Sequence, residues 1–204
     1  SDGPDPDALA AIAAGLDGLA SLSAERVGAE MARLLAAPNP APALGLMAQS
    51  GALGRVLPGA DVMFVAPLVH VEGEAQTPPR WQRRLAALGQ GEDWAARLRL
   101  SRADAKALVN TALAAGTDSL AVAAYLYGED AAVDATLITA ASTNSLPKAG
   151  WRDEVLRGVK AKFSLRAADF PQLTGPALGM ALKAAQARWL ASDLRADRAT
   201  LLGD

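Results

Sequence analysis

Residues 22–36 read Leu22-Ser23-Ala24-Glu25-Arg26-Val27-Gly28-Ala29-Glu30-Met31-Ala32-Arg33-Leu34-Leu35-Ala36. Val27, Met31 and Leu34 recur at i, i+4 and i+7, the spacing that gathers apolar side chains on one face of a helix. Ser23 stands in front of them as an N-cap, where its hydroxyl can accept from a first-turn amide. Arg26, Glu30 and Arg33 form a polar row at the same spacing, with Glu25 beside Arg26. An Arg26–Glu30 pair would add only about 0.2–0.5 kcal/mol, so the apolar stripe decides the element. The rhythm returns at Trp81, Leu85 and Leu88, and again at Leu178, Leu182, Ala185 and Trp189. No period-2 run is bounded by turn signals; the nearest, Val62 to Val71, is interrupted by Pro67. Ala and Leu, both strong helix formers, dominate the chain while Val, Ile, Phe and Tyr are scarce. The fold class expected is all-α, an irregular array of about ten helices.

The 204 residues are 51% hydrophobic and 21% charged, with no Cys and one His. A chain of this length buries roughly 70% of its unfolded surface, so its core needs no staples. Without Cys there is no disulfide scaffold, Cys-ligated zinc or thiol chemistry. With His70 alone there is no multi-His metal site, and a catalytic triad would have to centre on that residue. No apolar run approaches the roughly 20 residues of a membrane-spanning helix. The acidic start, Ser1 to Asp5, lacks the features of a signal peptide. A cytoplasmic protein without a membrane partner is expected.

Punctuation marks the remaining helices. An acidic, Ala-rich first helix follows Pro4 and Pro6 and ends near Ala20. Pro38, Pro40 and Pro42 force an extended link, since each removes a donor and biases its predecessor away from helix. Helices are expected from about Ala43 to Ser50-Gly51 and from there to Leu57, before the Pro58-Gly59 turn. Pro78-Pro79 opens the Trp81 helix. Ser101 and Asp104 form a capping box opening Arg102 to Ala115. Gly128 separates two Ala-rich helices, Ser142 to Pro147 reads as a mobile polar connection, and Trp151 to Phe163 is helical. Gly175-Pro176 puts Pro at the first position of a helix ending near Ser192.

Net charge is −2, but the charges are segregated. Two blocks, residues 80–106 and 148–166, are basic, while residues 1–20 and 107–147 hold acids and no base. Arg80, Arg83 and Arg84 are expected on the exposed side of the Trp81 helix, away from Trp81, Leu85 and Leu88. Three guanidiniums there could contact phosphates. The plainer reading is a solvated face whose arginines pair with the acidic blocks. Near the tail, Arg157, Lys160 and Lys162 cluster similarly, with an ordinary Asp153–Arg157 pair as the plain alternative. His70-Val71-Glu72 matches half of a zinc deaminase signature whose other half needs Cys, which excludes it. Gly45, Gly51 and Gly54 do not make a phosphate loop. The four Trp lie at helix starts or on apolar stripes, which favours core packing over base stacking. Nothing assembles an active site.

Several segments resemble the bacterial CCA-adding tRNA nucleotidyltransferase/poly(A) polymerase family. The first and most specific is Leu22 to Met31 followed by Leu34-Leu35-Ala36, which resembles a helix of that family's RNA-binding region. Leu46 to Leu53 with Val56-Leu57-Pro58-Gly59 is similar to the next segment. Arg84 to Leu88 and Leu98 to Ser101 are similar to the body, and Gly175 to Gly179 through Trp189 to the tail. The family's catalytic head, with its Gly-rich turn, paired carboxylates and Arg-Arg-Asp segment, has no counterpart here. The resemblance therefore implies a C-terminal RNA-binding region divided into neck-like (1–65), body-like (66–147) and tail-like (148–204) parts. It implies no enzyme activity and no cofactor for this chain alone, the parent's head being what would need Mg and CTP or ATP. The implied partners are tRNA or other structured RNA, and that head. RNA contacts are expected from Arg26, Arg33, Arg80, Arg83, Arg84, Arg157, Lys160 and Lys162. The alternative is an all-α module for protein interaction or self-association, without RNA binding.

Overall fold

The structure, a computed structural model, describes residues 23–202. Twelve α-helices and one 3-10 turn make up its regular structure, and no strand occurs among the described residues. The helix foreseen before Ala20 lies outside them.

Helix α1 (Ala24–Ala36) begins as the sequence dictates: the Arg26 amide donates to the Ser23 hydroxyl at 3.3 Å. The proline link leads to α2 (Ala41–Gln49) and α3 (Ala52–Val56). Helix α4 (Val65–Glu74) occupies the stretch where only a broken strand pattern was visible. Pro67 is its third residue, where the missing N–H would have had no intrahelical partner anyway. Next come α5 (Trp81–Ala87) and the single turn α6 (Trp94–Arg97). Helix α7 (Arg102–Ala115) starts with the Asp104 amide donating to the Ser101 hydroxyl at 3.1 Å. Then follow α8 (Leu120–Tyr127), α9 (Glu129–Ser142), α10 (Trp151–Lys160), α11 (Gly175–Ala191) and α12 (Arg198–Leu202). Residues 161–163, foreseen as helical, lie beyond the end of α10, where Ala161 is already extended.

Four apolar clusters hold these elements. Leu35, Leu44, Leu57, Leu85, Trp94 and Leu98 join α1–α3 to α5 and α6. Alanines of α7, α8 and α9 pack with Val155 of α10. Leu68 and Val71 of α4 meet Leu137 and Ala140 of α9. Leu165, Ala185, Trp189 and Leu201 close the tail, with Tyr125 of α8 edge-on to Trp189 at 5.1 Å between ring centres. All four Trp take part in these clusters, and the Trp94 indole donates to the Pro58 carbonyl at 3.0 Å.

Candidate nucleic-acid interface

The outer face of α1 carries the first expected contacts. Arg26 and Arg33 are exposed two turns apart, while Gly28, Met31 and Leu35 face the core. Glu30 pairs with Arg33 at 2.9 Å rather than with Arg26. Both partners are largely solvated, so the pair is weak and leaves the arginine available to an anion. Arg99, not among the expected contacts, reaches Glu25 at 3.3 Å and so adjoins the same helix. The approach depends on Gly28, which faces the Leu98 carbonyl so closely that a Cβ would lie 2.0 Å from its oxygen. Arg99, Arg102 and Lys106 are all exposed and extend the cationic surface along the start of α7. Their clustering in residues 80–106 was the only sequence signal for them.

Arg80, which caps α5, and Arg83 and Arg84 within it do not form an exposed face. Arg83 and Arg84 are 3% and 1% exposed, and they enter one buried network. Glu72 of α4 accepts from Arg83 Nη1 at 2.7 Å and from Arg84 Nε and Nη2 at 3.0 and 2.7 Å. Arg83 Nε donates to Asp134 of α9 at 2.8 Å, and Arg80 also reaches that carboxylate. Arg84 Nη1 donates to the Leu35 carbonyl at 2.8 Å and to Ala37, and Nη2 to Pro38 at 3.3 Å. A guanidinium thus closes the C-terminal end of α1, where carbonyls lack partners and the helix dipole favours a positive charge. Burial pushes the Asp134 carboxyl above its ordinary value, against the pull of Arg83 and Arg80.

The physical reason for this correction lies in the helical period. Arg84 stands three residues after Trp81 and four before Leu88, on the apolar stripe rather than opposite it. Glu72 is likewise four residues after Leu68, on the core face of α4. Arg80 is partly exposed and additionally paired with Asp130 at 3.3 Å. Arg80 and Arg83 do pair with the acidic block, through Asp134 inside the protein, whereas Arg84 pairs with Glu72, which belongs to neither acidic block.

Near the tail, Arg157 pairs with Glu154 at 2.5 Å and Asp193 at 2.6 Å, so Asp153 is not its partner. The hydrogen bond it donates to the Glu154 carboxylate is the chief reason its guanidinium is held still more firmly protonated than usual. Lys160 and Lys162 are exposed at the end of α10 and just beyond it. His70 is exposed on α4. No group of three or more His, Asp or Glu side chains is placed to hold a metal ion among the described residues, and none of their helices is long and apolar enough to cross a membrane.

Residues 4–64 match a family model described as "Probable RNA and SrmB-binding site of polymerase A". The match contains α1, α2 and α3 and stops at Phe64, the residue just before α4. It covers the segment in which the resemblance is most specific. No curated protein matches the chain.

Proposed function

We propose that this chain is the RNA-binding C-terminal module of a tRNA nucleotidyltransferase or poly(A) polymerase, positioning an RNA 3′ end for a catalytic head supplied by the parent protein in the cytoplasm. The match of residues 4–64 to an RNA-binding region carries the reading. It includes the solvent-facing row of Arg26 and Arg33. Helical RNA is recognised through its backbone and shape, so exposed guanidiniums on a rigid helix suit the task. Lys160 and Lys162 extend the surface at the tail, and Arg99 beside α1 joins it. Arg80 and Arg157 contribute from positions already shared with carboxylates, whereas Arg84 acts by holding the end of α1 and Arg83 by joining Glu72 to Asp134. The neck-like, body-like and tail-like division at residues 65 and 147 belongs to the same reading, which gives this chain no chemistry of its own.

A fluorescence titration with tRNA at low and moderate salt, with duplex DNA as control, tests it. Binding through about 4–6 phosphates should weaken with a log–log salt slope of several units. Arg26→Ala should reduce that slope by about one unit. Absence of binding at low salt would overturn the reading. A protein-interaction module is the second reading, favoured because the matched description names SrmB beside RNA. Exposed Leu126, Leu156 and Val159 on α8 and α10 would serve it.

A further inference from the structure

Helix α7 carries a face that its own fold does not use. Arg102, Lys106, Val109 and Leu113 stand at i, i+4, i+7 and i+11, so they share one side of the helix. All four are exposed, Val109 by 57% and Leu113 by 48%, while Thr111 and Ala114 turn into the core. A solvated helix face is ordinarily polar, and valine is a poorer helix former than the lysine or alanine that such a position takes. A single apolar residue at a surface needs no explanation, but two on successive turns beside a cleft form a contiguous patch.

That cleft, of about 270 Å³, lies between Val109, the end of α5, residues 89–92 and α6. Its walls are apolar, from Ala86, Ala95, Leu108 and the Trp94 indole. The indole is 3% exposed and its N–H is taken by the Pro58 carbonyl, so it offers the cleft a surface and no donor. Gly91 packs so closely on it that a Cβ would lie 2.0 Å from the indole nitrogen. The volume is below the roughly 300–1,000 Å³ of small-molecule sites and suits a protruding side chain. Charge on this face of α7 is of one sign. Arg102 and Lys106 hold no ion pair among the described residues. Asp104, the acid of the helix, is engaged elsewhere, by the Ser101 hydroxyl at 2.6 Å and the Gln82 amide at 2.9 Å. Glu92 is the one carboxylate of the cleft's lining.

We propose that this face of α7, with the cleft beside it, docks an acidic amphipathic helix of a partner protein. A bulky apolar side chain of the partner enters the cleft, a second packs on Leu113 one turn further on, and carboxylates meet Lys106 and Arg102. This is the helix-in-groove mode, with anchors repeating at helical spacing. A second copy of the chain is a poor occupant. Antiparallel pairing of two α7 helices sets the cations against the apolar pair, and parallel pairing sets cation against cation. RNA would meet the cations and leave Val109 and Leu113 in water. The inference goes beyond the RNA reading and uses none of Leu126, Leu156 and Val159.

The experiment is an NMR titration of the full chain with a synthetic amphipathic helix of about four turns, leucines on one face and glutamates flanking them. Two control peptides replace the glutamates by lysine or the leucines by alanine. Saturable shifts of the Ala105, Lys106, Val109 and Leu113 amides are expected with the first peptide, and binding about ten-fold weaker or worse with either control. Val109→Ser, at an exposed position that the fold does not need, should weaken the first peptide several-fold and leave tRNA binding unchanged. Lys106→Glu should narrow the gap between the glutamate and lysine peptides, a change that loss of apolar contact alone would not produce. Equal binding of the three peptides, or no shift at these amides, overturns the proposal. Shifts of the same amides with protein concentration alone, matched by a dimer in sedimentation, assign the face to a second copy and overturn it too. If Val109→Ser weakens tRNA and peptide alike, the face belongs to RNA and the proposal falls. If the peptides bind as expected while tRNA does not, the docking face stands and the RNA reading falls.

Discussion

At the scale of single residues, Glu72 joins two buried guanidiniums in the protein's interior. Its two oxygens serve Arg83 and Arg84, and through Arg84 they fix the end of the helix that carries Arg26 and Arg33. A buried pair adds little over an apolar replacement, but removing one partner strands the other's charge. Glu72→Gln keeps the volume and removes the charge, so it should cost roughly 3–5 kcal/mol in urea unfolding. Arg26→Ala, on the surface, should stay within about 0.5 kcal/mol. A wild-type midpoint for Glu72→Gln would mean that Asp134 and the α1 carbonyls suffice to hold both guanidiniums. The network was legible only in part. The sequence reading sets Arg84 on the exposed side although its spacing from Trp81 and Leu88 puts it on the apolar stripe, and which acid meets which base depends on how α4, α5 and α9 cross.

At the scale of the helix, close packing sets tolerance. Gly158 of α10 lies against α8, where a Cβ would come within 2.1 Å of the Ala121 carbonyl oxygen; Gly28 meets Leu98 in the same way. In a solvated helix Gly→Ala adds up to about 1 kcal/mol. Here the methyl must push a backbone aside, and overpacking costs about 1–3 kcal/mol. Both Gly28→Ala and Gly158→Ala should therefore lower thermal stability, whereas Gly179→Ala in α11, with nothing within 4 Å of its Cβ, should raise it slightly. A rise for Gly158→Ala would show that α8 and α10 can separate at little cost. Starts of helices were the most readable feature of the sequence, because Ser23 and Ser101 act locally through one hydroxyl. Helix α4 was unreadable for the converse reason: Phe64 offers no capping side chain, and Pro67 in the first turn looks like a break. The glycine contacts were equally hidden, since a helical glycine carries no mark of what lies opposite it.

At the scale of the whole molecule, the turn that follows α11 meets α8 and α10 through a small polar junction, beside the contact of Tyr125 with Trp189. Asp193, in the left-handed region at φ 58°, accepts from Ser119 at the start of α8 and from Arg157 of α10 and Arg195. Burial pushes its carboxyl up, but these hydrogen bonds and the Arg157 charge outweigh burial and hold it below the usual carboxylate value of 3.8. A depressed folded-state value means that the ionised form favours folding. The contribution is complete above the unfolded value, near pH 4, and disappears as pH falls through the lower folded value. Asp134 has the opposite sign: its raised value makes the folded state bind a proton more readily, so acidification to about pH 4 does not withdraw stability through that group. The acid-sensitive junction is thus at the tail and not in the buried arginine network. Asp193→Asn tests this cleanly, because Asn tolerates the left-handed backbone and removes only the charge. With the side chain 34% exposed and screened by water, the loss at pH 7 should be about 1 kcal/mol or less. The difference from the native protein should shrink to nothing on acidification below the folded value of Asp193. Urea unfolding followed across pH 2–7 reads both quantities, and a gap that persists unchanged at the lowest pH would assign the effect to packing around residue 193 instead of to its charge.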